Sequence, residues 1–549
     1  MLCRVPMMSG RWWLVALALL VCAVYAHVAF EVVHAELMLV NDFRPFTMAR
    51  LGMLPGEILR TLTDATREGA WLYRPFPDLM EWLLSSSLRE QPGAWHLVIL
   101  SLRLVTIALA YAIAREAGSP PAAAAGAAYL AFFPGIPEIN LLRADNWLMP
   151  LLALTFLGWM RMQKRGESTP ALRGVTAAAF VLATMSKEIF APFLAIFLAM
   201  LAPHYRRRGR LLLAVMLLAL ANQAVRFALM FADPYAAADS GRSLLKNGLW
   251  VAKTLLLATN AFIPFSLLIL GVLLLGALRL VRWMRDRETR ALAIGIALPA
   301  ALSLGMALTA PYHAIRYACP AALFLVPCVV AGFDELASLV RPAARNIVAA
   351  VWIAVFALFG GTALWAQAAS LRASSNADWE MLQTIAHAYA SGRDVVVIED
   401  ADFERSFWMR AELAGADPRW PFLSSVATQY ATAKPITWPP PPAGPVRLTG
   451  WQSAAPGRFL LVPKTFDFRS LPGDPIIVPA NPFVDAPQVP PSLAIVQRFD
   501  ARGTTRSSRT LERFRAFARS LNRRFRFGHD LGETEFPGHY WVALAVRRD

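Results

Sequence analysis

Apolar runs of about 20 residues, each long enough to cross a hydrocarbon core, recur along this sequence as far as residue 366. They lie near 12–30, 95–114, 121–135, 146–160, 211–231, 251–278, 291–310, 316–333 and 346–366. Inside lipid a chain has to satisfy every backbone polar group internally, and runs of this length do so as transmembrane helices. The composition agrees, with 56% of the 549 residues hydrophobic and a mean hydropathy of +0.43. The class is therefore a polytopic α-helical membrane protein. Its formal charge of +16 is gathered in the turns, which favours phosphorylated lipids and the anionic membrane surface as partners and gives no case for nucleic acid. Cys3, Cys22, Cys319 and Cys328 fall in or near apolar segments with no metal-type spacing, so cysteine chemistry is not expected. The first run follows Arg4 and Arg11. "VYA" at 24–26 is a passable cleavage site, but the run is as long as a full span and others follow, so it is read as a retained first helix.

The stretch between 174 and 202, "VTAAAFVLATMSKEIFAPFLAIFLAML", carries a Lys-Glu pair at its middle. As one span it would put its flanks on opposite sides. Both flanks, "RMQKRGESTPALR" (161–173) and "HYRRRGR" (204–210), are strongly basic short loops and belong on the cytoplasmic side. The stretch is thus expected to be a hairpin of two short helices with Ser186, Lys187 and Glu188 at its apex. Each arm of about a dozen residues reaches about 18 Å against a core of about 30 Å, so the apex should be recessed. About 11 transmembrane helices follow, with the amino terminus inside and the carboxy terminus outside. "RLVRWMRDRETR" (279–290) and "RPAAR" (341–345) then fall inside as well. The outer loops become 31–94, 136–145, 186–188, 232–250 and 311–315.

The composition changes near Gln367, which divides the chain into a transmembrane domain, 1–366, and a second domain, 367–549. "DVVVIED" (394–400), "RFLLVPK" (458–464), "PIIVPA" (475–480), "LAIVQRF" (493–499) and "YWVALAV" (540–546) read as short buried strands. "NADWEMLQTIAHAYA" and "RTLERFRAFARSLNRRF" read as helices, and "KPITWPPPPAGP" (434–445) as a rigid loop. This is an α/β domain expected outside the membrane.

Charges at membrane depth cost a few kcal/mol each, yet the outer rim collects Asp42, Arg44, Arg74, Arg143, Asp145, Lys187, Glu188, His313 and Arg316. Singly, each reads as a snorkelling arginine or an acid paired with one. Their shared placement on one face points to a site.

The motifs around these charges resemble those of the GT-C glycosyltransferases. "NDFRPF" (41–46) is similar to the acidic motif in that superfamily's first loop, and "YRPFPDLMEWLL" (73–84) to its proline-aromatic helix entry. "LRL" (102–104) is similar to its arginine position, "LLRADNW" (141–147) to its second acidic loop and "ATMSKE" (183–188) to its lysine apex. "HAIRYACPAALFLVP" (313–327) resembles the entry to a late span in the protein O-mannosyltransferase and aminoarabinose-transferase branch. The resemblance covers roughly residues 10–370, in order. The chain departs in carrying Asn41-Asp42 where that branch commonly has Asp-Glu, and in this looks more like the mannosyl- and arabinofuranosyl-transferase branches.

The resemblance implies a polyprenyl-phosphate sugar as donor, which suits a reaction outside the cytoplasm, where nucleotide sugars are absent. Lys187 with Arg316 and Arg143 would clamp its phosphate. Asp42 would be the general base of an inverting transfer. Arg44 would pair with Asp42 or touch the donor phosphate, and Asp145 would anchor the sugar or partner Arg143. Glu31 and Glu36 could stand in for Asp42 if the first helix ends early. No cofactor is assigned. Asp42 and Asp145 are two carboxylates that could hold a divalent cation. "GEILRTLTDATREGAWLYR" (56–74) reads as a helix on the outer surface or against the external domain. The face bearing Arg515, Arg519, Arg523 and Arg524 is either a solvated face or a seat for an anionic glycan, lipid or protein acceptor. The competing classes are a transporter or flippase of lipid-linked saccharides and a polysaccharide polymerase or ligase. A transporter should show inverted repeats and midplane charges, and such ligases a large loop between late spans. Here the charges gather on one rim and the long loop follows the first span.

Overall fold

The computed structural model describes residues 10–35, 74–88, 91–133, 144–165, 169–187, 189–201, 210–232, 263–308, 318–340 and 342–390, with short pieces at 248, 251–252 and 254–256, the lone residue 520, and strand residues 395–397, 459–462, 493–499 and 542–547. The helices are α1 Gly10–Val33, α2 Pro75–Leu88, α3 Pro92–Ala117, α4 Pro120–Ala131, α5 Ala144–Arg165, α6 Pro170–Thr184, α7 Ala191–Met200 and α8 Arg210–Ala232. They continue with α9 Ile263–Arg285, α10 Arg290–Leu308, α11 Cys319–Ser338 and α12 Pro342–Ala390. Six helices among the described residues are long and apolar enough to cross a membrane, and α6 and α7 are shorter apolar helices.

Helix starts follow the sequence closely. Pro stands in the first turn of α3, α4, α6 and α7, where its missing N–H costs nothing. Thr169 caps α6, its side chain accepting from Leu172 N at 3.2 Å. α11 is the centre: it packs against α4, α9, α10 and α3, and nearly all its residues are buried. α1 lies along α12 and against α3 and α4, burying Trp13, Leu17, Tyr25, Val28 and Val32. The first helix is thus built into the core of the bundle.

One end of the bundle is basic. There Asp334 accepts from the backbone and hydroxyl of Ser119 at 3.2 and 2.5 Å, tying the end of α11 to the start of α4. Glu335 pairs with Arg279 at 3.6 Å and Arg282 at 2.8 Å. These contacts explain why α9 runs on to Arg285 through residues expected to be loop: the arginines find a carboxylate on the neighbouring helix without leaving helical geometry. The same helix begins at Ile263, later than the span expected from 251.

At the opposite end several helices stop short. α4 has 12 residues, about 18 Å, and ends before the 135 expected. α6 has 15 residues and α7 has 10. The stretch 174–202 is therefore two helices, one ending at Thr184 and the next beginning at Ala191. α6 packs on α5 and α8, and α7 on α10 and α8.

α12 is 49 residues long, about 74 Å, and runs straight through the expected boundary at 366. The segment 376–390 is its continuation, not a separate helix. Beyond it a four-stranded sheet has the order β1-β2-β4-β3, from β1 Val395–Val397, β2 Phe459–Val462, β3 Leu493–Phe499 and β4 Val542–Arg547. β1 pairs parallel with β2, and β4 pairs antiparallel with β2 and β3. The expected strand at 475–480 and helix at 509–527 lie outside the described residues, Ser520 apart.

Candidate functional site

The break between α6 and α7 brings together several buried polar groups, among them Thr184, Ser186, Lys187, Gln223 and Asp145. The last carbonyls of a helix lack intrahelical donors, and inside a membrane bundle other protein groups have to supply them. Gln223 on α8 does so for α6: its Nε2 donates to the carbonyl of Thr184 and, at 3.2 Å, to that of Lys187. Ser186 N returns to Ala183 O, and Ile189 N to Lys187 O, both at 3.0 Å. The Thr184 and Ser186 hydroxyls donate to Val181 and Leu182 carbonyls, both at 2.7 Å. The turn is therefore tied down on both sides of Lys187.

The Lys187 ammonium donates to Oδ1 of Asp145. Asp145 lies in the first turn of α5, where the helix dipole favours a carboxylate. The two side chains are 8% and 9% exposed, so this is a buried ion pair. Desolvating such a pair costs several kcal/mol per ion, and ionisable groups within membrane bundles are characteristically functional.

α2 docks onto the same turn. Phe76 N donates to Met185 O at 3.3 Å, and the Phe76 ring meets Trp147 edge-on with centroids 6.1 Å apart. Arg74, half-buried, stands two residues before Phe76 and is carried to this region. On α8, Arg226 follows Gln223 by three residues, on the same face, and is 3% exposed.

The end of α4 is capped in the same manner. The Ala131 carbonyl accepts from Tyr25 Oη at 2.8 Å and Arg103 Nη2 at 2.9 Å, and the guanidinium lies 4.9 Å from the Tyr25 ring centroid. A cavity of ≈ 20 Å³ opens beside Arg103, lined also by Thr106, Phe133, Asn146 and Cys319. It has room for about one water molecule.

The structure thus brings Lys187 and Asp145 together and sets Arg74 near them. Asp42, Arg44, Arg143, Glu188, His313 and Arg316 lie outside the described residues, as do Glu36 and the stretch 56–73. Glu31 is engaged elsewhere: its carboxylate accepts from Trp365 Nε1 and Arg372 Nη1, each at 3.2 Å, and it is 1% exposed. Among the described residues no group of three or more His, Cys, Asp or Glu side chains comes together. Of the two carboxylates expected to hold a divalent cation, the described one, Asp145, is paired with Lys187. Sequence reasoning missed Gln223 and Arg226. Their signal was present in the run "ANQAVRFALM", where Asn222, Gln223 and Arg226 interrupt apolar residues and Gln223 and Arg226 stand three apart.

No protein-family model matches the sequence, and no curated protein matches it. Among solved structures, the fold is similar to that of ArnT from Cupriavidus metallidurans bound to undecaprenyl phosphate, with a TM-score of 0.50, 13% identity, and coverage of 77% of this chain and 89% of that one. The apo form of the same protein gives a TM-score of 0.49 at 13% identity, covering 83% of this chain and 93% of that one. At this identity the likeness is one of fold: the chain folds like ArnT.

Proposed function

We propose that this protein is an inverting membrane glycosyltransferase that takes a sugar from a polyprenyl-phosphate donor. The observation that carries this reading is the buried Lys187–Asp145 ion pair at the break between two short apolar helices, in a fold similar to that of ArnT, whose crystal structure holds undecaprenyl phosphate. A transporter places its intramembrane charges about a pseudo-symmetric midplane site, whereas in this sequence the charges gather on one rim.

The basic turns would face the cytoplasm, which puts the site on the periplasmic side of a bacterial inner membrane, with residues 367–549 as a periplasmic α/β domain. A lipid-linked donor presents its phosphate at headgroup depth, within reach of a recessed cation. An ammonium has three N–H donors, so Lys187 can keep Asp145 and still bind a phosphate oxygen. Arg143 and Arg316 would complete the clamp, with Arg44, Arg74, His313 and Glu188 around it. In the reaction an acceptor hydroxyl or amine attacks the anomeric carbon opposite the phosphate. The bond from that carbon to the phosphate oxygen breaks, and its electron pair leaves with the lipid phosphate, where Lys187 stabilises it. Asp42 takes the acceptor's proton, and the configuration inverts. Asp145 holds Lys187 in place before the donor arrives.

The test is sugar transfer by the purified protein from a radiolabelled polyprenyl-phosphate-sugar pool to lipid, glycan and protein acceptors. Asp42→Asn is expected to lose about 10²–10⁴ in rate while still binding donor. Turnover equal to wild type would remove Asp42 from the mechanism.

A further inference from the structure

We infer that Gln223 is a positioning residue that holds Lys187 at the depth where a lipid phosphate is met. The inference rests on the phosphate role proposed for Lys187. A side-chain amide nitrogen has two N–H groups, and Gln223 directs Nε2 to two carbonyls, Thr184 before the turn and Lys187 at its end. The intervening segment cannot slide along the helix axis without breaking one of these bonds. The far end of the Lys187 side chain is tied to Asp145 on α5. Lys187 is thus fixed twice, its backbone by α8 and its ammonium by α5.

The geometry selects glutamine. Asparagine is one methylene shorter than the span to both carbonyls requires. Glutamate keeps the shape but has no N–H to donate. Methionine keeps the length and removes all hydrogen bonding. Gln223 is buried, 1% exposed, and acts on the backbone of Lys187, so its effect on ligand binding has to pass through that residue. A glutamine with a merely structural role would change stability without coupling to Lys187.

The experiment measures undecaprenyl phosphate binding to the purified full-length protein in detergent, with thermal unfolding followed alongside. The proteins are wild type, Gln223→Glu, Gln223→Met, Lys187→Ala, and each Gln223 variant combined with Lys187→Ala. Each Gln223 variant is expected to weaken binding about tenfold alone and less than about twofold on the Lys187→Ala background, the mark of residues that act as one unit. Wild-type affinity in the single variants, or an equal loss on both backgrounds, overturns the inference and leaves the role of Lys187 standing. Wild-type affinity in Lys187→Ala itself overturns the phosphate role and the positioning role together. If Gln223→Met fails to fold, the isosteric Gln223→Glu carries the comparison.

Discussion

At the scale of single residues, the bundle treats buried polar groups as sets. Lys187 and Asp145 are each tolerable because the other is present, so removing one is worse than removing both. Asp145→Ala is expected to cost about 3–5 kcal/mol, and Lys187→Met with Asp145→Leu to recover most of that, as measured by denaturant unfolding in detergent. A double variant as unstable as the single would show that desolvation does not dominate at this pair. The Ala131 carbonyl gives a gentler case. Tyr25→Phe removes one neutral hydrogen bond and should cost about 1 kcal/mol. Arg103→Met removes a charge-assisted bond and the ring contact, and should cost more, about 1–3 kcal/mol. If Tyr25→Phe proved the more damaging of the two, the capping role of Arg103 would be wrong. Lys187 and Asp145 were both legible as charges next to apolar runs. Their pairing was not, because it joins positions 42 residues apart that only the packing of α6 on α5 brings together.

At the scale of elements, close helix packing depends on small residues. A Cβ on Gly332 of α11 would collide with the Val272 carbonyl of α9, and one on Gly276 of α9 with the Cys328 carbonyl of α11. Such close approach is how membrane helices gain dispersion contacts without a hydrophobic drive between them. Gly332→Ala should therefore cost about 1–3 kcal/mol through overpacking. Gly271→Ala, with nothing within 4 Å of the added carbon, should be neutral or slightly stabilising. Comparing their unfolding midpoints checks the contrast, and equal effects would sink it. The two short helices of the 174–202 stretch were readable from the basic flanks and the arm lengths. The early end of α4 was not, since "YLAFF" (129–133) is as apolar as the helix before it. What stops α4 there is the pair of donors from α1 and α3 on the Ala131 carbonyl.

At the scale of the whole molecule, the first and last helices close the bundle. Glu31 near the end of α1 is held by Trp365 and Arg372 of α12, and Asn376 donates to the His34 carbonyl at 3.2 Å. This junction ties the end of the first helix to the helix that leads to the C-terminal sheet. Glu31→Gln keeps the shape and removes the charge. It is expected to cost about 1–3 kcal/mol, read as a lower unfolding midpoint in detergent, and an unchanged midpoint would show that the junction contributes nothing to stability. The sequence by itself determined the membrane class, the approximate span positions, the basic end, the broken 174–202 stretch and most β-strands. Those follow from run length, charge and local periodicity, which act between near neighbours in the chain. Only the tertiary structure decided that Asp145 answers Lys187, that Gln223 holds the turn, that Glu31 serves the junction, and that α12 continues past the apparent domain boundary. Each of these depends on which helix faces which, and that is settled by packing between residues far apart in sequence.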